Sequence, residues 1–213
     1  MPTPTTAEIQ APAEDTRDRL VDVTSSLLAD NGDHALRLAD VARDAGVAVS
    51  TIYAHFRDRT DLVAEARLRQ FRAHADAATA GADEALSQIH DAASFRSATD
   101  WPDLANPDDV EARARRWDRL EAMADARHLS ELADNVGALQ REVDGRAAEV
   151  VRTGQRVGVV DPALDPAAVS LLWQSLKLGL TLRDLAGDGA APDSAAWEAV
   201  MERVADALGA PQD

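Results

Sequence analysis

LADVARDAGVAVSTIYAHFRDRTDL, residues 38–62, spells two short helices hinged on a glycine, with a third helix starting at once. Leu38, Val41, Ala42 and Ala45 recur at i, i+3, i+4 and i+7, which buries one face of a short helix. Gly46 ends that helix, because glycine takes the positive φ of a tight interhelical turn without a Cβ clash. Val47 and Ile52 pack on either side of the turn, and the second helix runs through Phe56. Asp58 is placed to cap the next helix, its carboxylate accepting the open backbone N–H groups of Arg59 to Asp61.

Working outward, residues 16–32, TRDRLVDVTSSLLADNG, predict an earlier helix with Leu20, Val23, Leu27 and Leu28 inward and Asn31-Gly32 as its stop. Together these segments resemble the N-terminal DNA-binding domain of the TetR family of transcriptional regulators. The resemblance rests on Val41-Ala42, Ala45-Gly46-Val47, Thr51-Ile52-Tyr53, His55-Phe56 and Leu62, and it covers residues 13–73. It implies a three-helix helix-turn-helix domain in which Thr51, Tyr53, His55 and Arg59 hold DNA phosphates. Base edges then fall to Val49, Ser50 and Ala54, small residues suited to thymine methyls, one hydroxyl hydrogen bond and DNA shape. The chain departs from the family at three positions. Ala48 stands where a capping Ser is usual, which removes about 1 kcal/mol of capping. Arg37 replaces a Thr and points to the DNA backbone, and Arg59 replaces a Lys with a planar fork suited to phosphate.

A net charge of −16 argues at first against a nucleic-acid partner. The charge is unevenly spread: residues 13–73 hold nine Arg against eleven acids, whereas residues 74–213 hold thirteen basic residues against twenty-six acids. No acid lies between Asp44 and Asp58, so the second helix of the motif and both its ends are free of negative charge. An acidic remainder keeps the rest of the molecule off DNA.

Composition sets the other bounds. The 213 residues are 46% hydrophobic, with no cysteine, which suits a globular protein without disulfide or thiolate chemistry. No apolar run is long enough for a membrane span, and residues 1–12, rich in Pro and Thr, read as a disordered arm without a basic and apolar signal segment. A cytoplasmic location follows as the expectation. His34, His55, His74, His90 and His128 show no metal-ligand spacing, and neither a nucleophile elbow nor a phosphate-binding glycine loop is present. The expectation is no enzyme, no metal and no cofactor. A single lysine, Lys177, accompanies twenty-one arginines.

Residues 74–213 read as helical throughout, giving an all-α chain of about nine helices. A long fourth helix from Arg59 is expected to stop near Gly81, with a fifth from Asp83 to about Phe95. Asn106-Pro107 and Asp165-Pro166 are cap-plus-proline starts, Ser130 and Asp193 are further caps, and Gly158 is a stop. Between Asp165 and Leu185 the apolar residues face nearly every direction, so that helix is buried on most sides.

The resemblance implies that residues 74–213 bind an effector and dimerise. It places Val169, Leu172, Trp173, Leu176, Leu180, Trp197, Val200, Met201 and Val204 in a twofold four-helix interface. A small-molecule pocket is expected near Phe95, Trp101, Trp117, Met123 and His128. Arg113, Arg115, Arg116 and Arg119 read as a solvated face paired with Glu111, Asp118 and Glu121. The function implied is a dimeric repressor on a palindromic double-stranded operator, released by a small molecule. The alternative is a helical adaptor or scaffold that has lost DNA binding.

Overall fold

Capping and turn chemistry set the element boundaries. The computed structural model describes residues 6–98, 109–186 and 194–210, and every regular element among them is helical. In order these are α1 Thr6–Asn31, a single 3-10 turn Asp33–Ala35, α2 Leu38–Asp44, α3 Val49–His55, α4 Arg59–Gln88, α5 Ala92–Ala98, α6 Val110–Ala126, α7 Ser130–Arg156, α8 Pro166–Ala186 and α9 Ser194–Ala207. Nine α-helices among the described residues match the expected number. The chain forms two compact units, one of residues up to Arg72 with Glu121–Val136, the other of Ala73–Leu120 with the residues from Gly137 on. The return of residues 121–136 to the first unit is not legible in the division at 73/74. It coincides with Arg67, buried on α4, whose guanidinium pairs with Glu121 and lies 3.7 Å from Asp125.

The first unit is built on the expected apolar faces. Leu20, Val21 and Leu28 of α1, Val41 and Ala42 of α2, Ile52 of α3, Phe56, and Leu62, Val63 and Ala66 of α4 form one core. Each of the larger side chains contributes roughly 1.5–3 kcal/mol on burial. Gly46 has φ 67°, and the turn closes as the Schellman motif requires: Val47 N–H donates to Ala42 O at 2.9 Å and Gly46 N–H to Arg43 O at 3.1 Å. Asp58 caps α4, accepting the Asp61 N–H at 2.9 Å. α1 begins at Thr6, inside the stretch expected as an arm; the alanines and glutamates there favour helix strongly enough to carry Pro12, which removes one backbone hydrogen bond.

In the second unit α4 runs past Gly81 to Gln88 rather than stopping there. Gly81 lacks the positive φ of a helix stop, and its neighbours are alanines, so it lowers helix stability by about 1 kcal/mol without breaking it. Residues 83–88 therefore belong to α4, and α5 starts only at Ala92. A reciprocal cap fixes that start: Ser94 N–H donates to Asp91 Oδ1 at 2.7 Å, and Asp91 N–H donates to Ser94 Oγ at 2.9 Å. Asp109 caps α6 through the Ala112 N–H, and Asp165 caps α8 through the Ala168 N–H at 2.8 Å, as its Asp-Pro pair predicts. Asn106-Pro107, Asp193 and Trp101 lie outside the described residues.

Phe95, Val150, Val151, Val160, Val169, Trp173 and Leu180 make the core of this unit. Gly154 lets α7 approach Phe95 so closely that an added Cβ would sit 2.6 Å from the ring. The loop after α7 is tied to the end of α9 by Asp161 N–H to Leu208 O and Ala210 N–H to Val159 O, both at 3.0 Å.

Candidate functional site

α3 is two turns long, and its burial is one-sided. Ile52 points into the core with no exposure, while Val49 and Tyr53, on the flank of the helix, are 39% and 57% exposed. Ala48, Ser50 and Ala54 are exposed beside them, and Thr51 and His55 are half-buried at the edges. Ala48 is the N-cap residue and makes no side-chain capping bond, so the helix starts with open N–H groups facing outward. The outer face therefore offers hydroxyl, ring and backbone donors, the methyl-bearing side chains of Ala48, Val49 and Ala54, and no carboxylate.

The arginines around α3 divide by what holds them. Arg37, the N-cap of α2, is exposed and lacks a side-chain capping bond. Arg59 is anchored within the protein: Nη2 donates to Asp33 O at 2.5 Å and to Asp33 Oδ1 at 2.9 Å, and Nε donates to Leu36 O at 3.3 Å. It fastens the start of α4 to the turn that precedes Arg37, a role that its place in the sequence does not reveal. Arg57 donates from its backbone N–H and from Nη2 to Asp61, both at 3.0 Å. Those two bonds hold the Asp61 carboxyl below the usual carboxylate range. Arg43 is locked between Asp40 and Asp44 on α2.

A cavity of about 570 Å³ lies within the second unit, walled chiefly by four helices whose contributions follow helical spacing, with Ala98 of α5 at its edge. α4 supplies His74, Ala77, Ala78, Gly81, Ala82 and Ala85; α7 supplies Val143, Ala147, Val150 and Val151. α6 supplies Ala112, Arg115, Arg116 and Arg119 at i, i+3, i+4 and i+7; α8 supplies Ser170, Trp173, Gln174 and Lys177 at the same spacing. Two walls are thus aliphatic and two polar and cationic, and no Asp or Glu is among the described residues lining it.

Of the residues expected at a pocket, the described ones, Phe95, Trp117, Met123 and His128, are not among those lining this cavity. Phe95 is packed in the core beside Gly154, Trp117 is half-buried elsewhere on α6, and Met123 and His128 belong to the first unit. The arginine run is not a solvated face. Arg116 is buried, with Nη2 3.0 Å from both oxygens of Asp184, and Arg113 Nε donates to the same carboxylate at 3.2 Å. Arg119 donates to Gln140 at 3.1 Å and Gln174 at 3.4 Å. Arg115 keeps the expected partner, Glu111, at 3.6 Å, and Asp118 lies 3.4 Å from His74. The polar stripe Ser170, Gln174 and Lys177 on an otherwise apolar helix was the signal in the sequence for this site.

The residues expected at a dimer interface separate in the same way. Val169, Trp173 and Leu180 are in the core, and Leu176, Trp197, Met201 and Val204 pack against it. Leu172 and Val200 are exposed, at 38% and 55%, and they are joined by Leu171, Leu182 and Leu185 at 67%, 70% and 68%. At about 100° per residue Leu171, Leu182 and Leu185 fall within roughly 60° of one another on α8. Among the described residues no helix is long and apolar enough to cross a membrane, and no group of three or more metal-ligating side chains is present.

Residues 20–66 match the family model described as bacterial regulatory proteins, tetR family. Over 53 residues the chain is 38% identical to the HTH-type transcriptional regulator AcrR of Shigella flexneri, a match that covers 25% of either protein; the chain thus spans a quarter of that curated relative. Two solved structures are similar over nearly the whole chain. One is a transcriptional regulator from Saccharomonospora viridis in complex with choline, 20% identical, with TM-score 0.67 over 93% of this chain and 100% of that one. The other is a TetR-family regulator from Rhodococcus sp., 23% identical, with TM-score 0.62 over 91% and 98%. At those identities the likeness is one of fold.

Proposed function

We propose that this chain, which belongs to the TetR family of bacterial regulatory proteins, is a transcriptional repressor that binds a palindromic operator as a homodimer in the cytoplasm and is released by a small molecule. One observation carries the reading: α3 presents an exposed face with no acid from Asp44 to Asp58, in a chain whose net charge is −16. A carboxylate-free helix with open N–H groups is what a phosphate backbone demands. Tyr53, His55 and Thr51 then fix register on phosphates, and Arg37 joins them. Arg59 supports the surface by holding the Asp33 turn. Val49, Ser50 and Ala54 read the groove, with thymine methyls and DNA shape supplying the discrimination.

Twofold pairing is supported by the apolar stripe on α8 and by Val200 on α9, since an exposed patch of that kind marks a protein interface. Two copies present two readers, and half-sites one helical turn apart match that symmetry. For release, α4 is the natural lever. It starts at Arg59 beside the reader elements and its later turns line the cavity, so a ligand wedged against Ala78 or Ala82 re-aims one end by moving the other. Choline, the ligand of the Saccharomonospora viridis protein, is not carried over, because a cation does not suit a lining that includes three arginines and a lysine.

The test is fluorescence anisotropy on the DNA upstream of the chain's own gene across a salt series. Binding is expected to weaken steeply with salt, and a Tyr53→Ala, Arg37→Ala variant is expected to bind at least tenfold more weakly with a slope reduced by about 1–2 in log K against log salt. Absent or salt-independent binding by the folded protein would overturn the reading in favour of a helical adaptor.

A further inference from the structure

We infer that the cavity takes an organic monoanion with an aliphatic body, a carboxylate of medium chain length; this rests on the effector reading of the same site. The walls are divided by chemistry. α4 and α7 offer alanine and valine side chains only, apart from His74 and Gly81, so half of the surface rewards the burial of hydrocarbon. The facing wall carries Arg115, Arg116 and Arg119 on one helix and Ser170, Gln174 and Lys177 on the next.

Four basic side chains line a space where no described residue is acidic, although residues 74–213 as a whole hold twice as many acids as bases. Carboxylates behind the wall offset part of this charge, Asp184 at Arg116 and Glu111 at Arg115, but the groups that face the space are cationic or neutral. A carboxylate suits this wall because guanidinium forks match its two oxygens and each bond is charge-assisted.

Ser170 supplies an independent observation. Its residue is 3% exposed, it lines the cavity, and its hydroxyl makes no hydrogen bond within the protein. A buried hydroxyl without a partner is destabilising unless something satisfies it. The hydroxyl oxygen is covered as it stands; a side-chain rotation toward the cavity would let a ligand headgroup oxygen accept its proton, while Gln174, already in the network of Arg119, Gln140 and Asp144, holds the neighbouring donors in place. The volume of about 570 Å³ lies in the range of small-molecule sites and suits a single compact ligand.

The experiment compares three probes with an eight-carbon chain on the whole protein by calorimetry and by intrinsic tryptophan fluorescence, to which Trp173 of the cavity wall contributes: octanoate, octanol and octyltrimethylammonium. Octanoate is expected to bind at least tenfold more tightly than octanol and to leave the ammonium without measurable binding. An Arg119→Met, Lys177→Met variant is expected to lose octanoate affinity at least tenfold and keep its affinity for octanol; circular dichroism establishes that it is folded, and either single substitution serves if the pair is not. Equal or tighter binding of the ammonium, preference for octanol, or no octanoate binding by the folded protein would overturn the inference. A parallel titration of the protein–DNA complex separates the two readings: octanoate that binds without releasing DNA leaves the inference standing and overturns effector release. Octyl phosphate as a fourth probe distinguishes carboxylate from phosphate, and tighter binding of the phosphate overturns the carboxylate assignment.

Discussion

Arg116 of α6 and Asp184 of α8 close on one another inside the second unit, with Nη2 of the arginine 3.0 Å from both carboxylate oxygens and the Asp184 side chain 1% exposed. The same arginine lines the cavity, so this pair fixes both the packing of two helices and the position of one cationic wall. Removing one partner strands the other charge in a dry site. Asp184→Ala is expected to destabilise the protein by about 3–5 kcal/mol, and an Arg116→Met, Asp184→Leu double variant by much less than that. Urea unfolding of the three proteins checks it.

Leu182 is the exposed centre of the α8 stripe, whereas Leu176, two turns earlier, packs against the core. Leu182→Asp is expected to give a folded monomer by sedimentation, because it charges only the exposed surface proposed for a second copy. Leu176→Asp places a charge among apolar neighbours and is expected to unfold the unit instead. A Leu182→Asp protein that remained dimeric would move the interface off this face.

Ala48 occupies an N-cap position with φ −78° and ψ 151° and no capping side chain. Serine adopts that conformation readily and its oxygen reaches the open N–H groups one turn on. Ala48→Ser is expected to stabilise the first unit by about 1 kcal/mol, read as a higher urea midpoint at unchanged slope.

Asp61 ties the start of α4 to Arg57, whose side chain and backbone N–H hold its carboxyl below the ordinary 3.8. The folded value lies below the unfolded one, so the contribution is complete above about 3.8 and is lost as pH falls through the lowered folded value. Acidification below 3.8 is expected to destabilise the wild type more steeply than Asp61→Asn, in thermal melts taken at successive pH values.

The first unit was legible because its signals are local. Gly46 announces a positive φ, Asp58 and Asp165 announce caps, and the spacing of Leu38, Val41, Ala42 and Ala45 announces a buried face; each needs only a few residues of context. The second unit depended on facts that periodicity does not encode. α8 is apolar on nearly every side, so spacing alone cannot say that Leu176 is covered by its own chain while Leu182 is not. The cavity was missed for a different reason. Aromatic residues are the lining that a sequence suggests, yet its room is made by alanines, and a side chain that leaves space makes no mark in a hydrophobic pattern. Gly81 misled in the opposite sense, because a glycine stops a helix only where the backbone turns left-handed.

Lys177 is the only lysine in the chain, and its side chain lines the cavity. Amine-directed reagents that attack most proteins at many surface positions therefore have a single side-chain address here, and that address lies where a ligand would sit. The protein carries its own reporter: occupancy can be followed as protection of one residue, by mass alone, without introducing a label.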